Sequence, residues 1–133
     1  MIRSDGAARG NPGPAGAGWI IETDDGELID EGWAYLGVLT NNQAEYEALL
    51  RALRSADPDH ETELAIYSDS ELLVRQLNGD YRVRNAGLKD RFAAVTGVLG
   101  RAGSAEVRHV RRGENARADA LANRAIDLAT AAE

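Results

Sequence analysis

Four carboxylates with unusual neighbours are spread through the 133 residues of this chain. Asp5 opens a Gly-rich stretch, Glu45 follows Thr40-Asn41-Asn42-Gln43, Asp69 lies in Tyr67-Ser68-Asp69-Ser70, and Asp119 follows Asn115-Ala116-Arg117-Ala118. Each has a plain use: Asp5 as a turn residue, Glu45 as a helix residue reaching for water, Asp69 as a helix cap, Asp119 as a first-turn acid complementing a helix dipole. Their combination points elsewhere. Carboxylates gathered by folding repel one another unless cations sit between them. Magnesium prefers oxygen ligands and takes few protein carboxylates per ion, so four acids suit a pair of ions. Two metals about 4 Å apart serve phosphodiester hydrolysis, by activating a water and stabilising the leaving oxygen. With no cysteine in the chain, any metal must be held by oxygen or by the two histidines.

The elements that position these acids are legible from pattern. Ile2 to Asp5 reads as a short strand, and Gly6 to Gly16 is rich enough in Gly and Pro for a shaped loop. Ala17 to Thr23 and Glu27 to Tyr35 are strand-like runs joined at Asp24-Asp25-Gly26, so the first three strands form an antiparallel meander. Thr40 and Gln43 make a capping box, and Ala44, Ala48, Leu49, Ala52 and Leu53 carry the helix to Ala56. Glu45 falls beside that apolar stripe, whereas Glu47 is expected to face solvent.

Glu63 to Ser68 is apolar on both faces, as for a central strand. Ser68 or Asp69 caps a helix over Ser70 to Leu77 that stops at Asn78-Gly79. Leu88 to Leu99 is a further helix, Ala105 to Val110 the last strand, and Asn115 to Thr130 an Ala-rich helix. Asp5 and Asp69 then end strands that a helical crossover makes parallel neighbours. Sites in such sheets form beyond the carboxyl ends of the strands.

Composition sets the frame. A chain of this length with 44% hydrophobic residues suits one domain over residues 1–133. It contains no apolar run of membrane-spanning length, and Met1-Ile2-Arg3-Ser4-Asp5 lacks a signal-peptide layout. With the absence of cysteine this leads to the expectation of a cytoplasmic protein with no membrane partner. A net charge of −7 argues against a general nucleic-acid binder. However, Arg82, Arg84, Lys89 and Arg91 cluster in one segment and Arg108, Arg111, Arg112 and Arg117 in another, while many acids lie in turns such as Asp24-Asp25 and Asp57-Pro58-Asp59. A local basic face survives the negative total.

The blocks Asp5-Gly6-Ala7-Ala8-Arg9-Gly10-Asn11-Pro12-Gly13-Pro14, Thr40-Asn41-Asn42-Gln43-Ala44-Glu45, Tyr67-Ser68-Asp69-Ser70 and Asn115-Ala116-Arg117-Ala118-Asp119 together resemble type 1 ribonuclease H. The resemblance spans nearly the whole chain. It implies an α/β, ribonuclease H-like fold: a five-stranded mixed sheet, the antiparallel meander followed by parallel fourth and fifth strands, flanked by helices. It implies an endonuclease that hydrolyses the RNA strand of RNA/DNA hybrids with two Mg²⁺ ions, or Mn²⁺ in their place, leaving 5′-phosphate and 3′-hydroxyl ends. Asp5, Glu45, Asp69 and Asp119 would be the catalytic metal ligands, with Glu45 also near a ribose 2′-hydroxyl, a group only RNA offers. Asn11, Asn41 and Gln43 would lie along the minor groove of the hybrid, and Thr40 with Asn85 would hold a DNA-strand phosphate. Asn42 is as readily a helix-start residue as a contact. A monomer is expected. Two alternatives stand beside this: a relaxed nuclease that also cuts double-stranded RNA, and a hybrid-binding module without turnover.

Three departures from the family pattern shape further expectations. The segment Arg111-Arg112-Gly113-Glu114 is short and lacks the loop histidine many members use in product release, which leaves a loop role to Arg112 or Glu114. His109, inside the last strand, is assigned a structural role, and His60 a surface one. Too few residues separate Asp69 from Asn85 for the basic protrusion of longer relatives, so Arg82, Arg84 and Lys89 are left to compensate. Val38 stands where some relatives have an arginine at the DNA-phosphate pocket, which weakens the demand for a DNA strand.

Overall fold

The computed structural model describes residues 1–131. Strands β1 (Ile2–Ala8), β2 (Gly13–Glu22), β3 (Leu28–Leu39), β4 (Glu63–Ser68) and β5 (Ser104–His109) form one sheet in the order β3-β2-β1-β4-β5. The first three are an antiparallel meander; β4 joins β1 and β5 joins β4 in parallel. Helices α1 (Asn41–Ala56), α2 (Glu71–Leu77), α3 (Ala86–Leu99) and α4 (Ala116–Thr130) flank it, with a 3-10 turn over Arg112–Asn115. The five-stranded mixed sheet is the one the sequence predicts. Among the described residues, no helix is long and apolar enough to cross a membrane.

The two faces of the sheet are covered differently. On one, Tyr46, Leu49 and Leu53 of α1 pack with Ile2, Ile21 and Ile66 of the sheet, Leu73 of α2 and Val95 of α3. On the other, Ala118, Ala122, Ala125 and Ile126 are the buried residues of α4. That helix lies close because β2 offers Gly16 and Gly18 beneath it, where a Cβ would strike the backbone of Ala122 and Ala118.

Several boundaries differ from expectation, with identifiable causes. The stretch expected to be loop from Gly6 to Gly16 is strand over most of its length, since Gly6, Ala7 and Ala8 pair with Ala17, Gly16 and Ala15. Gly6, Gly13 and Gly16 serve close approach, and only Gly10, at φ 98°, serves the turn. Asp5 is therefore inside β1, though beyond Arg3, the last residue of β1 paired with β4. β3 runs on to Leu39 past a bulge opposite Ala15 and Gly16. Ser70, not Ser68 or Asp69, caps α2 by accepting from Leu73 N at 3.3 Å, so Asp69 is not spent on capping. Glu47 does not face open solvent: it is half-buried and paired with Arg91 at 3.0 Å, tying α1 to α3. His109 and His60 are both exposed, the first in β5 and the second in a turn.

Candidate active site

The parallel register that pairs Ile2 with Ile66 and Arg3 with Tyr67 carries Asp5 to the level of Asp69. Directly after Asp5, Gly6 gives α1 room to lie against β1: a Cβ there would collide with the Ala44 carbonyl and Glu45 nitrogen. The capping box at Thr40 starts α1 in the right phase, with Thr40 Oγ1 accepting from Gln43 N at 3.2 Å and Gln43 Oε1 from Thr40 N at 3.0 Å. Glu45, on the second turn, is thereby aimed at Asp5. One oxygen each from Asp5, Glu45 and Asp69 lie within 4.8 Å of one another.

Asp119, in the first turn of α4, is not part of that tight trio but lines the same cleft of about 570 Å³. Its helix is pinned there by the buried Asn115, which donates from Nδ2 to Ser4 O at 2.9 Å, next to Asp5 in β1.

The charge balance of the cleft is strained. Burial, then the charge of Glu45, a hydrogen bond with Asp119 and the charge of Asp69 push the Asp5 carboxyl up to about 11. Burial and the charge of Asp69 push Glu45 up to about 8, against the opposing influence of Asp5, the Gly6 N–H and the Arg112 guanidinium. Glu45 Oε2 is buried with no hydrogen-bond partner, although buried polar atoms are nearly always paired. Converging oxygen donors, an orphaned carboxylate oxygen and carboxyls held protonated by burial and by one another's charge fit a hard divalent cation, which would partner the orphan and displace the protons.

A family model described as reverse transcriptase-like matches residues 3–125. The ribonuclease HI of Halobacterium salinarum is 41% identical over 123 residues, covering 92% of this chain and 62% of that protein. The chain belongs to the type 1 ribonuclease H family. Among solved structures, LC11-RNase H1 in complex with an RNA/DNA hybrid superposes with a TM-score of 0.91 at 45% identity, over 96% of each chain. The N-terminal RNase H domain of a Mycobacterium tuberculosis protein superposes with a TM-score of 0.93 at 36% identity, over 98% of this chain and 95% of that one. The chain spans less than two thirds of the Halobacterium relative and 36% of the full-length mycobacterial one.

The other residues predicted from the sequence are distributed unevenly around this ribonuclease H-family cleft. Asn41 and Arg112 line the cleft with the four acids; Asn11, Thr40, Gln43, Asn85 and Glu114 do not. Asn11 lies just outside, its Oδ1 accepting from Asn41 N at 3.1 Å, while Asn41 Oδ1 accepts from Ala8 N at 2.9 Å. This exchange fastens the β1–β2 loop to α1. Gln43 and Asn85 meet beside Gly87, where a Cβ would lie 2.7 Å from Gln43 Nε2 and 3.1 Å from Asn85 Oδ1. The starts of α1 and α3 are thus neighbours.

Glu114 is exposed; its carbonyl accepts from Arg3 Nη1 at 3.4 Å and its N–H donates to Arg111 O at 2.9 Å. The cleft also holds Asn42, Ser70 and Asn123, none chosen as a site residue from the sequence. Asn123 could have been found by spacing alone: it follows Asp119 by one helical turn and shares its face.

Proposed function

We propose that the protein is an endoribonuclease that hydrolyses the RNA strand of RNA/DNA hybrids, leaving 5′-phosphate and 3′-hydroxyl ends. The observation that carries this is the convergence of Asp5, Glu45 and Asp69 within 4.8 Å, with Asp119 in the same cleft, in a chain of the ribonuclease H family. Asp5, Glu45, Asp69 and Asp119 are the residues that would hold the metal. When bound, a pair of Mg²⁺ or Mn²⁺ ions supplies Lewis-acid activation of water and charge stabilisation of the leaving oxygen.

The chain's own residues bind and orient the hybrid. Asn11, Asn41 and Gln43 are uncharged amides suited to sugar and base edges along a minor groove, and Glu45 is placed to meet a ribose 2′-hydroxyl. Thr40 and Asn85 cap α1 and α3, whose neighbouring N-termini favour a phosphate between them. Arg112, at the cleft wall, takes the loop role in place of a histidine, and Glu114, outside it, does not. Work as a cytoplasmic monomer is part of the same proposal.

Val38 favours a second reading. It is 66% exposed and supplies no guanidinium to the DNA-strand phosphate, so double-stranded RNA, whose minor groove is similar, becomes a competing substrate. Labelled hybrid, RNA duplex and DNA duplex incubated with Mg²⁺ or Mn²⁺ separate the cases. Cleavage of the hybrid alone supports the strict enzyme, and cleavage of the RNA duplex as well supports the relaxed one. Binding of the hybrid without any cleavage would leave only a binding module.

A further inference from the structure

We propose that Asn123 is a positioning residue that orients the Asp119 carboxylate, and that Arg9 fixes the direction in which the Asn123 amide points. The inference rests on the assignment of Asp119 to the metal site. Asn123 Nδ2 donates to Asp119 Oδ1 at 3.3 Å and to the Asp119 carbonyl at 3.0 Å. On its other side, Asn123 Oδ1 accepts from Arg9 Nη2 at 3.4 Å. That guanidinium reaches across from the end of β1, and the same Nη2 is held at 2.6 Å by Asp127, one further turn along α4.

The chemistry of the partners decides the orientation. A guanidinium only donates and a carboxylate only accepts. Turned the other way, the Asn123 amide would set NH₂ against Arg9 and its oxygen against Asp119, losing both bonds for two repulsions. Arg9, anchored on Asp127, therefore selects the rotamer in which the amide takes Oδ1 of Asp119. Asp119 Oδ1 is thereby held by Asn123, which orients the carboxylate in the cleft that both residues line.

Asn is the residue type for this task. Aspartate would face Asp119 with a like charge, and leucine would offer nothing to either neighbour. The arrangement also joins Asp119 to the β1–β2 loop, since Arg9 lies two residues before Asn11.

The test compares Asn123→Leu, Asn123→Asp and Arg9→Gln with wild type and Asp119→Asn. The readouts are Mg²⁺ affinity by calorimetry, thermal stability without metal, and kcat and KM on a hybrid. Asn123→Leu should lose about 10–100-fold in Mg²⁺ affinity or in kcat, with KM little changed, as supporting partners of metal ligands do. Asn123→Asp keeps an acceptor for Arg9 and hence the latch but sets a like charge against Asp119, so kcat should fall while the protein still folds; a purely structural Asn123 predicts wild-type kcat there. Arg9→Gln should show a smaller loss in the same direction, and Asn123→Leu combined with Arg9→Gln should be no worse than Asn123→Leu alone.

Wild-type Mg²⁺ affinity and kcat in Asn123→Leu would overturn the positioning role. Additive losses in the double variant would overturn the part given to Arg9. An Asp119→Asn variant that binds Mg²⁺ and turns over like wild type marks failure of the underlying site assignment instead.

Discussion

Gly6 of β1 and Ala44 of α1 meet backbone to backbone, with no space between them for even a methyl group. Because Asp5 precedes one and Glu45 follows the other, this contact sets the separation of two candidate ligands. Gly6→Ala is therefore expected to push α1 away from the sheet. Overpacking of this kind costs about 1–3 kcal/mol, and here the obstacle is backbone that cannot rotate aside. A denaturant titration should show the stability loss, and Mg²⁺-dependent cleavage should fall further than the stability loss explains. Wild-type turnover in a folded Gly6→Ala protein would show that the contact does not position the site.

The raised carboxyls give the metal-free protein an unusual dependence on pH. Asp5 and Glu45 hold protons in the folded state up to about 11 and about 8, but release them in the unfolded chain near 3.8 and 4.5. Folding thus takes up protons between those limits, and metal-free stability should fall as pH rises from 4 through 8. Melting in EDTA across that range checks the sign. Asp5→Asn removes the largest of these penalties and should be more stable than wild type at pH 8, by about 0.5–2 kcal/mol. It should also lose most of its thermal response to Mg²⁺, a response that in wild type grows with pH because binding displaces protons.

Both predictions turn on features of different legibility. The antiparallel meander, the capping box at Thr40 and the placement of Glu45 beside the apolar stripe follow from periodicity and turn chemistry, which are local, whereas the five-stranded mixed sheet with parallel fourth and fifth strands comes from the family resemblance. Gly6 was misjudged for a physical reason: its sequence neighbours Gly10, Pro12 and Gly13 signal a loop, whereas its task is contact with a helix almost forty residues away. Glu47 was placed in solvent because its partner Arg91 belongs to another helix, and no spacing rule within α1 reveals it. The cap of α2 is likewise not decided by sequence, since Ser68, Asp69 and Ser70 each begin an acceptable helix and only the backbone geometry selects Ser70.

The segment between α2 and α3 is expected to act as the electrostatic handle for the hybrid. Arg82 and Arg84 there, and Lys89 early in α3, are all exposed, and none has an ion-pair partner among the described residues. Arg82→Ala and Arg84→Ala should each weaken hybrid binding with little sequence preference and reduce the slope of log affinity against log salt by about 1. Filter binding or anisotropy in Ca²⁺, across a range of NaCl, measures this. An unchanged slope in the double variant would show that phosphate contacts lie elsewhere.

Arg112 combines two effects that a single substitution separates. It is exposed, so Arg112→Ala should alter global stability by no more than about 0.5 kcal/mol. Its guanidinium is one of the influences that hold the Glu45 carboxyl down. Without it, Glu45 keeps its proton to higher pH, so at limiting Mg²⁺ the rise of activity with pH should shift to the alkaline side. Saturating metal suppresses that shift, because cation binding displaces the proton whatever its affinity. Any loss of kcat that persists at saturating metal then belongs to a direct role at the cleft, in substrate alignment or product release. A burst of product followed by a slower steady rate in Arg112→Ala would assign it to release, since chemistry in the first turnover is then intact. Wild-type kcat at saturating metal would dismiss the residue from the loop role and leave only its influence on Glu45.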